Sequence, residues 1–409
     1  MQPRRRSAVI QRGGVAQRRH KPDYVLLVLT AILLVVGLVT IYSISPGLAI
    51  QRNVSENYYV NKQLIAIGLG IVTFTAMATI PYETWKKLQK PLIGAAIVAT
   101  LIALALPVSE QYPAHRWIRF GGLSFQSVEL VKFALIFILA GFLADRMRRG
   151  EVNDIDKSVK PIGIAFVVIA FVVAGLQSDL GSTAVIIAIM GLMWFVAGLP
   201  VKRVLLLLGA IAVVFLLAVS TSDYRRDRVM TFMNPERDCQ AAGYQACQAL
   251  IAVGTGGLFG KGIGHSVQAY GYLPEAANDS IFAVIAEKFG FVGVTAILCV
   301  FWAFFTRVKN IIERAPDNFS RLVVVGLLAW LSMQAIINIG AMIGLLPLKG
   351  ITLPFISYGG TSLIFATAAV GLIFNISRYT TFGVHDIEET APPRKPEGRR
   401  YALGYSSRR

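Results

Sequence analysis

The feature that most constrains this chain is a succession of long apolar runs. Segments of about 17 to 25 residues, nearly free of charge, recur between Tyr24 and Ile376, and that is the length of an α-helix that crosses a bilayer. Hydrocarbon offers no water to backbone N–H and C=O groups, so such runs satisfy them internally as helices. The sequence predicts an all-α integral membrane protein with ten transmembrane helices. Their ranges are 24–44, 61–80, 91–106, 127–144, 159–176, 180–198, 201–219, 280–305, 320–345 and 356–376. Composition excludes the alternative of two or three soluble domains: 55% of residues are hydrophobic and 15% charged, against about 25% charged in a soluble domain, and the mean hydropathy is +0.59. The first run follows a long basic segment and has no small-residue cleavage site, so it reads as a retained helix.

A net charge of +17 in a soluble protein would suggest nucleic acid as partner. Here the placement of the charge points away from nucleic acid and orients the chain in the bilayer. With the N-terminus in the cytoplasm, basic residues gather in the tail 1–23, at Lys86, Lys87 and Lys90, and over 146–160. They gather again at Lys202 and Arg203, over 307–321, and after residue 376. Each of these segments is then cytoplasmic, as the positive-inside rule requires. The expected organisation is a basic cytoplasmic tail (1–23), a membrane domain (24–379) and a polar cytoplasmic tail (380–409). Both tails read as disordered. The long segment 220–279 faces outside the cell, where loops of this length carry function. Cys239 and Cys247 lie in it, eight apart, and form either a disulfide in an oxidising compartment or two free thiols. Cys299 reads as an apolar core residue. None of the cysteines has zinc-ligand spacing.

The outside surface collects an unusual polar set. The loop and helix start over 115–135 read HRWIRFGGLSFQSVELVKFAL. Glu129 and Lys132, three apart, share one helix face, either as a self-neutralising pair or as a cavity wall for an anionic group. Arg116 and Arg119 flank Trp117 and either anchor the loop at the interface or grip a phosphate. LQSDLGS, over 176–182, puts Asp179 where it can cap the sixth helix. The Gly- and Pro-rich turn over 343–362 carries Lys349 and Ser357; such backbone at membrane depth lines a cavity or packs within protein.

The sharpest candidate is Asp279, near the end of GTGGLFGKGIGHSVQAYGYLPEAANDSIFAVIAEKFG (254–290). It either caps the eighth helix or, as a carboxylate at an apolar boundary, has a raised pKa suited to a general base. Glu275 lies four residues before it, placed to tune it or to help hold a divalent cation. Glu287, deeper in the helix, is suited to a polar network between helices.

Four segments, RWIRFGGLSFQSVELVKFALI, LQSDLGSTAV, the 254–293 stretch and GLLPLKGITLPFISYGGTSLI, resemble the FtsW/RodA/SpoVE (SEDS) family of bacterial cell-wall synthesis. The resemblance spans nearly all of 24–379. GIGHSVQAYGYLPEA is more like FtsW, the division member, than RodA, the elongation member. It implies a peptidoglycan glycosyltransferase that polymerises lipid II at the outer face of the plasma membrane and acts at the division septum. The family's essential acid in PEA-x-x-D-x-IF falls on Asp279 and the motif Glu on Glu275. Its cavity-lining Arg, Glu and Lys fall on Arg119 or Arg116, Glu129 and Lys132. It also implies a Mg²⁺ or Mn²⁺ requirement, a class B penicillin-binding protein as partner, and other divisome membrane proteins nearby. Ser127 stands where the family often has proline, Ser178 replaces the proline of QPDLG, and Ala277, Asn278 and Ser280 depart around an intact Asp279. In the expected inverting reaction, Lys132 and Arg119 face the departing undecaprenyl pyrophosphate. Two rival classes remain at this stage. One is a lipid II flippase, disfavoured because the polar residues cluster at one face instead of the midplane. The other is a non-catalytic division scaffold that activates a transpeptidase.

Overall fold

The computed structural model describes residues 17–19, 21–107, 115–120, 123–206, 209, 232–233, 239–241 and 243–381. Helices dominate: α1 (Tyr24–Arg52), α2 (Tyr58–Thr79), the short α3 (Tyr82–Lys87), α4 (Gln89–Ala105), α5 (Ser127–Arg149), α6 (Ile155–Leu176) and α7 (Leu180–Val196). Then come α8 (Tyr244–Thr255), α9 (Ile281–Glu313), α10 (Asn318–Met342) and α11 (Gly360–Ile376). Among the described residues, α1, α2, α5, α6, α9 and α10 are long and apolar enough to cross a membrane, while α4, α7 and α11 are apolar but shorter. The seventh expected run, 201–219, falls largely outside the described residues, as does most of 220–238.

α5 and α10 sit in the middle of the bundle with most of their length buried, and Phe133, Phe137 and Trp330 fill the space between them. α6 and the later part of α9 instead expose Ile164, Val167, Phe171 and Trp302, as befits helices that meet acyl chains. Cys299 belongs to that outward face and is exposed. This corrects its expected core position: the uniformly apolar run could not tell a lipid-facing side from a protein-facing one.

Two small sheets accompany the helices. β2 (Trp117–Phe120) and β3 (Leu123–Gln126) form an antiparallel hairpin directly before α5. β1 (Gln17–Arg19), inside the tail expected to be disordered, pairs with β4 (Tyr379–Thr381). Next to that pair, Asp23 caps α1 by accepting from Leu26 N at 3.3 Å, receives Arg307 at 3.8 Å, and donates its own N–H to Ser377 Oγ.

The expected single helix over 280–305 is two pieces. α9 breaks at Gly290 (φ 64°, ψ −165°), a conformation essentially restricted to glycine. The break would orphan backbone groups inside an apolar bundle. The glycine-rich segment before it supplies the partners. Phe291 N and Val292 N donate to Gly257 O and Leu258 O at 2.9 and 3.0 Å, and Lys261 N and Gly262 N donate to Glu287 O and Lys288 O at 2.9 and 3.0 Å. The buried Glu287 carboxylate, as expected for a network residue, accepts from Val267 N, Gln268 N and Ser266 Oγ and pairs with Lys261. Lys288 Nζ donates to Ile263 O at 2.8 Å. Close approach explains the glycines: a Cβ on Gly260 would lie 2.1 Å from Lys288 O, and one on Gly290 2.3 Å from Gly260 N. The sequence pattern concealed this because both pieces are apolar and only one glycine marks the join.

Gly290→Ala is therefore expected to destabilise the protein by at least about 1–3 kcal/mol from backbone strain alone, with the steric clash in addition. A clearly lowered thermal midpoint in detergent is the expected result, and a wild-type midpoint would contradict the stitched break.

Candidate active site

The elements that carry the predicted polar residues meet at one end of the bundle. There the start of α2, the β2–β3 hairpin, the starts of α5, α7 and α11, the end of α10 and the loop before α9 enclose a cavity of about 990 Å³. Glu129 and Lys132 line it from α5 and Arg116 from the hairpin's base; Glu275 and Asp279 line it from the loop. The far end holds Asp23, Arg307, Asp317 and the strand pair.

Asp279 stands two residues ahead of α9. The capping position belongs to Ser280, which makes no side-chain cap bond. The Asp279 carboxylate is therefore left for the cavity. Its main chain is held firmly: Asn338 Nδ2, on α10, donates to Asp279 O and to Ile351 O, each at 2.7 Å. Ser357 Oγ donates to Asn278 O at 2.6 Å and accepts from Leu353 N at 2.8 Å, and Tyr358 N donates to Ala277 O. Ser357 thus clamps two backbone turns together and does not line the cavity. The carboxylate itself accepts from Gln245 Nε2 at 3.4 Å. Burial, followed by the charge of Glu275, raises the Asp279 pKa to about 7, against weaker lowering by hydrogen bonds and Arg116. A carboxyl so placed exchanges its proton near neutral pH.

Glu275 takes a left-handed conformation (φ 50°), pairs with Arg52 at 3.2 Å and accepts from Asn278 Nδ2. Asp179 caps α7, accepting from Ser182 N at 2.9 Å and Ser182 Oγ at 3.0 Å, and it also holds Arg116 at 2.9 Å. Gly350 (φ 64°) lies between the two halves of the site. A Cβ there would sit 3.7 Å from Asp279 Oδ2 and 3.8 Å from Arg116 Nη2, so the guanidinium and the carboxylate flank the same bare backbone. Lys132 and Glu129 pair at 2.7 Å with both side chains buried, and Lys132 lies over the Trp330 ring. Among the described residues, Glu129 Oε2 has no hydrogen-bond partner.

Of the predicted set, Arg119 is exposed on β2, Lys349 is half-buried in its turn and Asp179 is buried against Arg116; none of the three lines the cavity. Sequence reasoning missed Lys62 and Tyr58 on α2, Gln334 and Asn338 on α10, and Gln245 on α8. A signal existed for the α10 pair: two amides four residues apart in an otherwise apolar run occupy one helix face. Cys239 and Cys247 are bonded, which resolves the open alternative and ties the start of α8 to the turn before it.

The profile of the FtsW, RodA and SpoVE family, described as "Cell cycle protein", matches residues 24–382. The chain belongs to this FtsW/RodA/SpoVE family. It is 36% identical to Stage V sporulation protein E of Bacillus subtilis over 368 residues, which is 89% of this chain and 99% of that one. It is 37% identical to the probable peptidoglycan glycosyltransferase FtsW of Saccharophagus degradans over 371 residues, 89% of this chain and 94% of that one. Among solved structures it is similar to a chain of a peptidoglycan synthase complex that coordinates polymerization and crosslinking. That match has a TM-score of 0.74 and 27% identity, and covers 87% of this chain and 98% of the other. It is also similar to the Thermus thermophilus rod shape determining protein RodA, with a TM-score of 0.62, 26% identity and coverages of 87% and 97%. As a family member with several apolar helices, the protein is a multi-pass membrane protein.

A hydrophobic carbodiimide, which modifies protonated carboxyls, should label Asp279 half-maximally near pH 7 and progressively less at higher pH. Glu275→Gln removes a repulsion that raises the pKa, so the half-point should move to lower pH. Peptide mass spectrometry reads both, and a half-point unmoved by Glu275→Gln would contradict the coupling.

Proposed function

We propose that this protein is a peptidoglycan glycosyltransferase that polymerises lipid II into β-1,4 glycan strands during septal wall synthesis. The observation that carries the reading is Asp279, a half-buried carboxyl with its pKa raised to about 7, at a cavity that also holds Arg116 and Lys62. Its FtsW relatives are named probable peptidoglycan glycosyltransferases, and a structural relative comes from a peptidoglycan synthase complex.

The topology is ten crossings with both ends cytoplasmic and the site outside the cell. Basic clusters such as Arg146, Arg148 and Arg149 occupy the helix ends away from the cavity, which supports this orientation. The Cys239–Cys247 bond fits an oxidising outer compartment. Ile65 and Leu69 line the cavity yet are exposed on α2, so the cavity opens sideways where prenyl tails would enter from lipid.

In the reaction, the 4-hydroxyl oxygen of the acceptor N-acetylglucosamine attacks the anomeric carbon of the donor N-acetylmuramic acid. Asp279 takes the hydroxyl proton. The bond from that carbon to the pyrophosphate oxygen breaks, and undecaprenyl pyrophosphate leaves with the electron pair, inverting α to β. Positive charge aimed at the leaving group lowers the barrier. Lys132 pairs with Glu129 and Arg119 stands away from the cavity lining, so we assign that role to Lys62 and to the part of the Arg116 guanidinium that Asp179 does not hold. The residues present do not make a cage for a resident Mg²⁺ or Mn²⁺. Among the described residues no three His, Cys, Asp or Glu side chains converge, and Glu275 is engaged by Arg52 and Asn278. The proposed reaction runs no step through a metal. The partner we propose is a class B penicillin-binding protein, with other divisome membrane proteins at the septum.

Purified protein with its transpeptidase, given lipid II, should make glycan, and Asp279→Asn should lower the rate by about 10²–10⁴-fold, the usual contribution of a general base. Full activity in Asp279→Asn would overturn the assignment. In liposomes, glycan should form from lipid II already on the site's side; movement of lipid II across the bilayer without glycan would instead identify a flippase.

A further inference from the structure

The long segment before Asp279 contributes more than a tether. α8 packs against the first part of α9 with Ala249 and Ala252 fully buried. Gly256, just past its end, lies so close that a Cβ would be 2.1 Å from Ala286 O. The Cys239–Cys247 bond closes the turn that leads into α8. Gln245, in the first turn of this fixed helix, donates through Nε2 to Ser280 Oγ at 3.0 Å and to Asp279 Oδ1 at 3.4 Å. Asn338 secures the Asp279 main chain, and among the described residues Gln245 is the side chain that donates to its carboxylate.

We propose that Gln245 is a positioning residue for Asp279: from a disulfide-tied helix it holds the carboxylate toward the cavity. This rests on the reading of Asp279 as general base. A carboxylate needs a donor to favour its ionised form in a partly desolvated site, and the direction of the Gln245 contribution agrees, being a lowering one. The other charges around Asp279 do not substitute for it. Glu275 repels it and is bridged to Arg52. Arg116 is committed through Nη1 to Asp179, and Lys132 to Glu129. Lys62 lines the cavity from α2, Lys349 in the turn beside Gly350 is not among the lining residues, and α10 and α11 present uncharged groups there, Gln334, Asn338, Thr361 and Ser362.

The test is the pH profile of lipid II polymerisation, with kcat and KM separated, for wild type, Gln245→Met, Gln245→Glu and Asp279→Asn in complex with the transpeptidase. Gln245→Met keeps length and loses the donor. Its acidic limb should move up by about one pH unit, which is roughly a tenfold loss of kcat below the limb, with KM little changed and the loss closing at alkaline pH. Gln245→Glu puts a negative charge against Asp279, so its limb should move further in the same direction. A packing role alone would lower activity evenly across pH and would not order the two variants this way. If Asp279→Asn is inactive while both Gln245 variants keep the wild-type limb, the inference fails and the base assignment stands. If Asp279→Asn is active, the base assignment itself has failed.

Discussion

The discontinuity at Gly290 fixes where Asp279 stands. A helix that ran unbroken through 280–305 would carry Glu287 and Lys288 deep into the apolar bundle with nothing to receive them, and burying unpaired charge is costly. The break lets the segment 257–268 fold back and supply backbone amides, a hydroxyl and a lysine to Glu287. The short first piece of α9 is thereby fixed at both ends, by the stitched loop below and by Asn338 and Ser357 above. Asp279 sits at its upper edge on main chain that has little freedom to move. Preorganisation of this kind lets a carboxylate wait at the correct place without reorganisation when substrate arrives.

Around it, the cavity's charges are sorted into pairs, and the pairing decides which groups remain for substrate. Glu129 and Lys132 neutralise one another in the interior. Asp179, by capping α7 and holding Arg116, commits its negative charge to orientation and leaves one face of the guanidinium for an anion. Gly350 keeps the space between Arg116 and Asp279 open because it has no side chain. The result is a carboxylate and a cation on either side of a gap, with an apolar flank along α2, and the proposed reaction rests on that arrangement.

Much of this is legible in the chain. The apolar runs and the placement of Lys and Arg give a helical membrane protein, and the same runs reappear as α1, α2, α4 to α7 and α9 to α11. Asp279, Glu275, Arg116, Glu129, Lys132 and Asp179 stand out because charge at the edge of an apolar helix is costly and so demands a reason; the structure brings them to one end. Arg119, Lys349 and Ser357 come from the same stretches but do not line the cavity, since a local motif does not say which way a strand or turn presents each residue.

The sequence alone determined which segments are lipid-soluble, which end of each is basic, and which few polar residues border them, because those properties are set by transfer from water and need no neighbour. Only the tertiary structure decided that α9 is broken, that Ser357 clamps backbone, that Cys299 faces outward, and that Gln245 reaches Asp279 from 34 residues away. Each of these depends on a partner distant in sequence, and hydropathy carries no information about which partner a chain will bring alongside.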